Sequence, residues 1–561
     1  MMLPVKCAVA LRVASTLAIC AMIAACTSTR AGDGTDRGAS AAQTAARTLR
    51  LETGSEFPTL NPLVSDNAQL ALFAPLFHGY LLRTDADGRF IPDLATDVPS
   101  IANGGISDGG RTIRYRLRQG ARWHDGVPFD ARDVIFSFRA AMNPRNNVPD
   151  RSGFDDVISI TAPDAYTAVV RLRRPYSPGI ATFFNEGAND AYPLLPAHLL
   201  EHEANLNTSA YGAQPVGLGP YKVVSWERGA KVVLAADPHY FRGAPKIARA
   251  EIAIVPDQNT GLTLWRSGAL DVFFINGFGA TEAMLRQARQ RTGARSPIRD
   301  HYQFDYIMFN VAHGPLREAA VRRALVAGID HEAIMRVLQG PFHRPGDGDR
   351  LPGQFAYDPS IRQPRFDLTR ARAILDAAGW RLNGAYRSRN GTPLALEIVG
   401  VSGTSLSERF MVQLQAQLTK LGIRATIKPY QYTLLFLPLQ QGGIYASGRF
   451  DLTLYGWQPG EDADHSYLFR CDTRPPGGEN YGGICDPAID RAAHDELTSN
   501  DPAVQARGDR AMLRALVDNA DQLFLGFNRE AVLSDNALLG VQPAITGQHF
   551  WNAWSWHWAT P

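Results

Sequence analysis

The sequence is short of charge imbalance, of cysteine and of lysine. Its 561 residues carry 57 basic and 55 acidic side chains, a formal charge of +2 that gives nucleic acid no electrostatic foothold. Only Lys6, Lys222, Lys231, Lys246, Lys420 and Lys428 are lysines, and the arginines are spread along the chain without a basic cluster. A mean hydropathy of -0.18 argues against a polytopic membrane protein. Although there are 50 glycines and 36 prolines, no collagen-like or low-complexity period appears. What is present is a 45% hydrophobic composition. At roughly 100–200 residues per domain, this chain is too long for one core, so several packed units are expected.

Enzyme signatures are also missing. Gly105-Ile106-Ser107-Asp108-Gly109 has the letters of a nucleophile elbow but leads into a strand rather than a helix. His331-Glu332 lacks the second histidine of a zinc helix, since Met335 and Arg336 occupy that neighbourhood. Asp85-Ala86-Asp87-Gly88 and Asp462-Ala463-Asp464 lack the later ligands of a calcium loop. Gly217-Leu218-Gly219 runs into Pro220-Tyr221, which suits neither a phosphate loop nor a dinucleotide turn. No catalytic set, metal site or cofactor is expected.

The N-terminus reads as a secretory leader. Lys6 and Arg12 precede the apolar run Val13–Ile23, which is too short for a stable span, and small residues follow. Ile23-Ala24-Ala25-Cys26 resembles a bacterial lipobox, which makes Cys26 the lipidated first residue; an ordinary leader is the alternative. Cleavage before Cys26 takes 25 residues from 561 and leaves 536. It removes two basic residues and no acid, so the mature charge is zero. Residues 26–47 hold small and polar side chains and read as anchor and flexible tether. In the body only Cys471 and Cys485 remain, in an oxidising compartment. A disulfide closing that short loop would contribute about 3 kcal/mol; two buried thiols are the other reading.

From Leu49 onward strand and helix signals alternate, which means layered α/β or α+β structure. Ile113, Tyr115 and Leu117 mark one face of a strand. Asp130-Ala131-Arg132-Asp133 opens a helix with Val134, Ile135, Phe138 and Met142 on its stripe. Leu316, Ala320, Val321, Ala324, Leu325 and Gly328 fall at helical spacing, and Asp367 caps a helix that Gly379 stops. Leu394–Val401 and Phe450–Tyr455 read as strands.

An ordered series of segments begins at Pro92-Asp93-Leu94-Ala95-Thr96 and continues through Trp123-His124-Asp125-Gly126-Val127-Pro128-Phe129 and Ala131–Val134. Pro215–Tyr221, Asp237–Phe241, Gly243–Pro245, Ser267–Asp271, Phe309-Asn310 and Leu316–Asp330 follow in order. Asp367–Trp380 and Phe450–Leu452 carry the series into the last third. Together these segments resemble the family 5 bacterial extracellular solute-binding proteins. The resemblance implies a periplasmic-binding-protein-like α/β fold of class II, with two lobes around a hinged cleft and an extra inserted domain. On that pattern lobe I combines 48–77, 208–300 and 520–561, the inserted domain is 78–207, and lobe II is 301–519.

The same resemblance implies a site. Peptide binders of the family use a strand ending in Gly-Trp and an aspartate three residues later that pairs with the ligand's ammonium group. Gly456 and Trp457 match, but Gly460 stands at the aspartate's place, and Pro459 removes a backbone donor. Glu461, Asp462 or Asp464 could supply the acid through a shifted loop, or could be solvated caps. Gln458, Ser65, Asn67, Tyr306 and Asn310 are further cleft candidates, each equally plausible as turn or core. Trp551–Trp558 suggests sugar stacking, although the end of the chain favours core.

The implied activity is capture of a peptide or related small solute and delivery to the permease of an ABC importer. The protein would act as a monomer outside the cytoplasm, in the periplasm or on the cell surface. It would be held to the membrane by its anchor, with no bond made or broken in the cargo. An oligosaccharide, metal chelate, haem or opine as cargo, a ligand-sensing lipoprotein and a secreted hydrolase are the alternatives.

Overall fold

A computed structural model describes residues 47–151, 153–186, 192–276, 280–458 and 464–560. The leader, Cys26, the tether before residue 47, and the candidates Glu461 and Asp462 lie outside the described residues. No helix among the described residues is long and apolar enough to cross a membrane.

The first sheet begins at Leu49–Thr53, which pairs in parallel with Arg249–Ile254. That strand pairs with Lys231–Ala236, and the latter with Tyr221–Glu227, both antiparallel. Alternation decides which face is covered: Leu49 and Leu51 point inward, whereas Arg50 and Glu52 are half-buried. The inner face packs on Phe73, Phe550 and Trp556. Trp556 is fully buried and its indole donates to Asn552 Oδ1 at 2.7 Å. The C-terminal aromatic cluster thus contributes to this core, and Trp556 is closed to a sugar.

A second core spans residues between Leu63 and Leu218. Its sheet runs Ile106–Ser107, Thr112–Arg116, Thr167–Leu172, Val157–Asp164, with helix Ala131–Met142 against it. Gly105–Gly109 ends in a turn whose Gly109 has φ of 61°, which places Ser107 on no nucleophile elbow. The helix starts at a capping box formed by Asp130 and Asp133. Its buried side is Val134, Ser137, Ala140 and Ala141, while Ile135, Phe138 and Met142 are only half-buried. The rotation has a polar cause: Asp133 accepts from Trp123 Nε1 and Ala197 N, and Ser137 Oγ accepts from Leu195 N.

The Trp123–Phe129 segment and the Pro215–Tyr221 turn form one unit through His124. Its Nδ1 accepts from Gly217 N at 3.1 Å and its Nε2 donates to Gly219 O at 2.9 Å, which fixes a neutral imidazole. Burial holds its pKa down at about 4, outweighing the Gly219 carbonyl. Both glycines sit against the backbone at Phe77; a Cβ on Gly217 would lie 1.8 Å from Phe77 O.

The largest sheet runs Val272–Ile275, Gln522–Asp535, Ile298–Phe309, Leu452–Trp457, Ala395–Val401, Arg424–Tyr430. Its last two strands are parallel, and helix Ser405–Lys420 connects them as the crossover. Helices Ala319–Gly328 and Leu368–Ala377 pack together in the same core. Leu316 belongs to a preceding short turn, Gly314–Arg317, because Pro315 begins it. Asp367 caps its helix by accepting from Arg370 N, and Gly379, with φ of 83°, lies just past the end. The strand near Trp457 starts at Leu452 and not at Phe450, since the Asp451 carboxylate instead accepts from Glu397 N.

The strands Gln522–Asp535 and Ile298–Phe309 are the longest among the described residues. Their ladder shifts between Asp300 and Phe304 and again between Asp305 and Tyr306, facing Gly526 with φ of 131°.

Gly217→Ala should destabilise the protein by about 2 kcal/mol or more, because backbone and not a movable side chain fills the space. Denaturant midpoints of variant and parent check this; equal midpoints would contradict the tight turn.

Candidate functional site

A cavity of about 1110 Å³ lies between the sheet that contains Thr167–Leu172 and the chain that follows strand Leu452–Trp457. One wall carries Pro149, Asp150, Asp155, Asp156, Arg173, Arg174 and Tyr176. The other carries Trp457, Asp464, Tyr467, Arg470, Glu479 and His494. At one rim the walls are joined: Ser177 N donates to Leu497 O at 2.8 Å and Ser177 Oγ to Glu496 O at 2.6 Å. A smaller cavity of about 220 Å³ elsewhere in lobe II, beside His331, is ringed by arginines already paired, Arg344 with Asp300, Arg362 with Asp347 and Arg365 with Glu332. Among the described residues no group of three or more His, Cys, Asp or Glu is placed to hold a metal ion.

Trp457 ends the Leu452–Trp457 strand at the larger cavity, opposite Phe304 in the ladder. It is half-buried, and its indole N–H has no acceptor among the described residues. Gly456 faces inward. A Cβ there would lie 2.6 Å from Asp305 Oδ1, so its missing side chain makes room for a buried carboxyl. Burial pushes Asp305 up to about 7, against the hydrogen bonds of Asn528 and Gln303. Gln458 Nε2 donates to Thr546 O at 2.9 Å, a link from this strand end to the C-terminal segment. Asp464 lines the cavity and also accepts from Ser466 N.

The remaining candidates serve the scaffold. Asn310 is buried and its amide donates to Gly448 O and Phe450 O while its oxygen accepts from Ala312 N. Tyr306 is 2% exposed and packs on Phe304 and Tyr455. Asn67 caps helix Ala68–Phe73 by accepting from Leu70 N, and Ser65 Oγ accepts from Asn67 N. These polar side chains fold back on nearby backbone, the use such residues commonly have at turns and caps.

Two features brace the wall beyond Trp457. A disulfide joins Cys471 and Cys485, with Cα atoms 4.5 Å apart, just before helix Pro487–Thr498. His465 is fully buried with Nε2 2.5 Å from Asp349 Oδ2, and Arg350 reaches both His465 Nδ1 and Asp509. Burial pushes Asp349 up, but His465 and Arg350 outweigh it and hold the carboxyl at about 2.

Sequence reasoning missed Arg173, Glu479 and Asp305. Arg173 stands in the run Arg171–Tyr176 directly after a strand, the one local sign of a charged edge. Glu479 and Asp305 carry no local sign; tertiary packing alone brings them beside Trp457.

Residues 89–478 match the family model described as bacterial extracellular solute-binding proteins, family 5 Middle. Protein XP55 of Streptomyces lividans is 28% identical over 486 residues, 86% of this chain and 83% of its own length. Di/tripeptide-binding protein 2 of Pseudomonas aeruginosa is 27% identical over 445 residues, 74% of this chain and 78% of its own. Among solved structures, NikZ from Campylobacter jejuni in complex with Ni(L-His) superposes with a TM-score of 0.74 at 25% identity, covering 91% of this chain and 99% of NikZ.

Asp305→Asn should stabilise the protein increasingly with pH. Between the ordinary 3.8 and about 7 the folded chain holds a proton that the unfolded chain has released, so Asp305 costs stability as pH rises through that window. The variant should gain roughly 2–4 kcal/mol over the parent at pH 8 and little at pH 4. Melting curves at both pH values check it; a gain independent of pH would contradict the buried carboxyl.

Proposed function

The chain belongs to the family 5 bacterial extracellular solute-binding proteins, and on that premise we propose that it captures a short peptide, or a related small solute, between the inserted domain and lobe II and delivers it to the permease of an ABC importer. Members of this family bind solutes outside the cytoplasm and are not enzymes. The observation that carries the reading is the large cavity with Trp457 on one wall and charged side chains of both signs around it. Pockets for small ligands commonly enclose about 300–1,000 Å³, so this chamber has room for a cargo of several residues. A half-buried tryptophan supplies apolar contact at low entropy cost.

In this reading the lobes are 48–77, 208–300 and 520–561 against 301–519, with 78–207 inserted. Closure turns on the two long strands that cross between them. The peptide cargo agrees with what the Pseudomonas relative's name says of that protein. Cys26 would hold the monomer to the membrane on the extracytoplasmic side, with the residues up to 47 as tether. A metal chelate is the second reading, favoured by the likeness to NikZ in its nickel complex and by His494 on the wall.

Mass spectrometry of small molecules released from the purified protein, followed by calorimetry, tests the cargo. Short peptides should be found and should rebind; if they neither co-purify nor bind, the peptide assignment fails. Trp457→Ala should weaken binding roughly 10- to 100-fold without unfolding the protein. Unaltered affinity would remove Trp457 from the site.

A further inference from the structure

Among the described residues, the walls of the large cavity meet at a seam that has no shared apolar core. On one side Tyr176 and Ile180 pack into the core that spans Leu63 to Leu218. On the other, Ile489, Ala492 and Ala493 of helix Pro487–Thr498 belong to a separate core with Phe304 and Tyr455. That helix runs along the cavity, with Asp490, His494, Leu497 and Thr498 in its lining.

What joins the walls is polar. The last four carbonyls of a helix have no partner within it. Two of those at this helix end are bound from the other wall, where Ser177 Oγ donates to Glu496 O at 2.6 Å and Ser177 N to Leu497 O at 2.8 Å. A neighbouring turn fits as closely: Gly110, with φ of 88°, faces Asn500, whose amide a Cβ at Gly110 would strike. Ser177 is half-buried, so water takes over both carbonyls when the seam parts, and the net cost of parting is small.

The unit that carries Ser177 is pinned a second time. In its turn Asp85–Gly88, Ala86 O accepts from Ile545 N at 3.0 Å and Asp87 O from Tyr302 Oη at 3.1 Å. Tyr302 stands inside the register break between Asp300 and Phe304. A pin at the bendable point and a releasable bond at the cavity rim are the parts of a closing device.

We infer that Ser177 is the latch of the cavity, a positioning residue that sets how long cargo is held and not which cargo is recognised. The inference rests on the cavity being the cargo chamber. With the latch made, the helix end is capped from the opposite wall and the exit is shut. With it broken, the walls part at the seam while each core stays whole. Cargo that touches both walls favours the latched arrangement, so losing the latch acts on dissociation more than on association.

Native-state hydrogen exchange over the segment containing Ser177 tests the latch in the parent without any cargo. Exchange there should proceed by local opening at denaturant concentrations too low to unfold the protein; exchange only through global unfolding overturns the latch. Stopped-flow binding of trialanine then compares the parent with Ser177→Ala and with Ser177→Thr, which keeps the hydroxyl. Dissociation should be about 3- to 10-fold faster in Ser177→Ala with association within twofold, and Ser177→Thr should restore the parent's rate. Unchanged dissociation, or a loss confined to association, overturns the latch. If trialanine does not bind the parent, the peptide reading fails and exchange alone decides: Ser177→Ala should open about 3- to 10-fold more often than the parent and Ser177→Thr should not, and equal exchange overturns the latch. Trp457→Ala reports on the chamber separately, since it should weaken binding and leave exchange at Ser177 as in the parent. Binding unaltered in both Trp457→Ala and Ser177→Ala overturns chamber and latch together.

Discussion

Strand Gln522–Asp535 hydrogen-bonds to Val272–Ile275 near its end and to Ile298–Phe309 along most of its length, and the latter carries Leu452–Trp457 on its other edge. Buried backbone donors and acceptors must stay paired, so this ladder cannot be pulled apart to open the cleft. It can bend only where its register is already broken, at Asp300–Phe304 and Asp305–Tyr306. Phe304 lies opposite Trp457 and Asp305 opposite Gly456. The bending point and the cavity wall are therefore adjacent pieces of one sheet, and the proposed closure would be felt directly at the cargo contact. Asp305 adds a second constraint there: a buried carboxyl that only a glycine partner can accommodate.

Around this spine the wall beyond Trp457 is held by strong interactions. The disulfide, the His465–Asp349 pair and the Arg350–Asp509 pair all fix chain on the lobe II side. Buried charged pairs of this kind contribute little net stability against apolar packing but make misplacement costly. The opposite wall belongs to the inserted sheet and meets lobe II at Ser177 through backbone acceptors. A braced wall and a docked wall with charged side chains of both signs around the cavity suit capture of a small solute.

Much of the scaffold was legible because it is local. Asp130 and Asp367 cap helices where a short acid before an apolar run says they should, and Gly-Trp does end a strand at the cavity. The strand alternation at Ile113 and Tyr115 survives folding unchanged. The site was legible only in part. Ser65, Asn67 and Asn310 are polar residues near turns, and nothing in a sequence separates a polar side chain that meets cargo from one that meets its own backbone. Arg173 and Glu479 are far apart in the chain, so their place in the lining of one cavity exists only after folding. Nothing in the sequence marks Asp305, since burial and not composition makes it unusual.

A crystal structure of the protein carrying its released and re-added cargo tests the central claim most directly. Cargo density should fill the large chamber, with Trp457 in contact and the Ile298–Phe309 and Gln522–Asp535 ladder intact. Density in the smaller cavity beside His331 and Arg344, with the large chamber holding only water, would contradict the account.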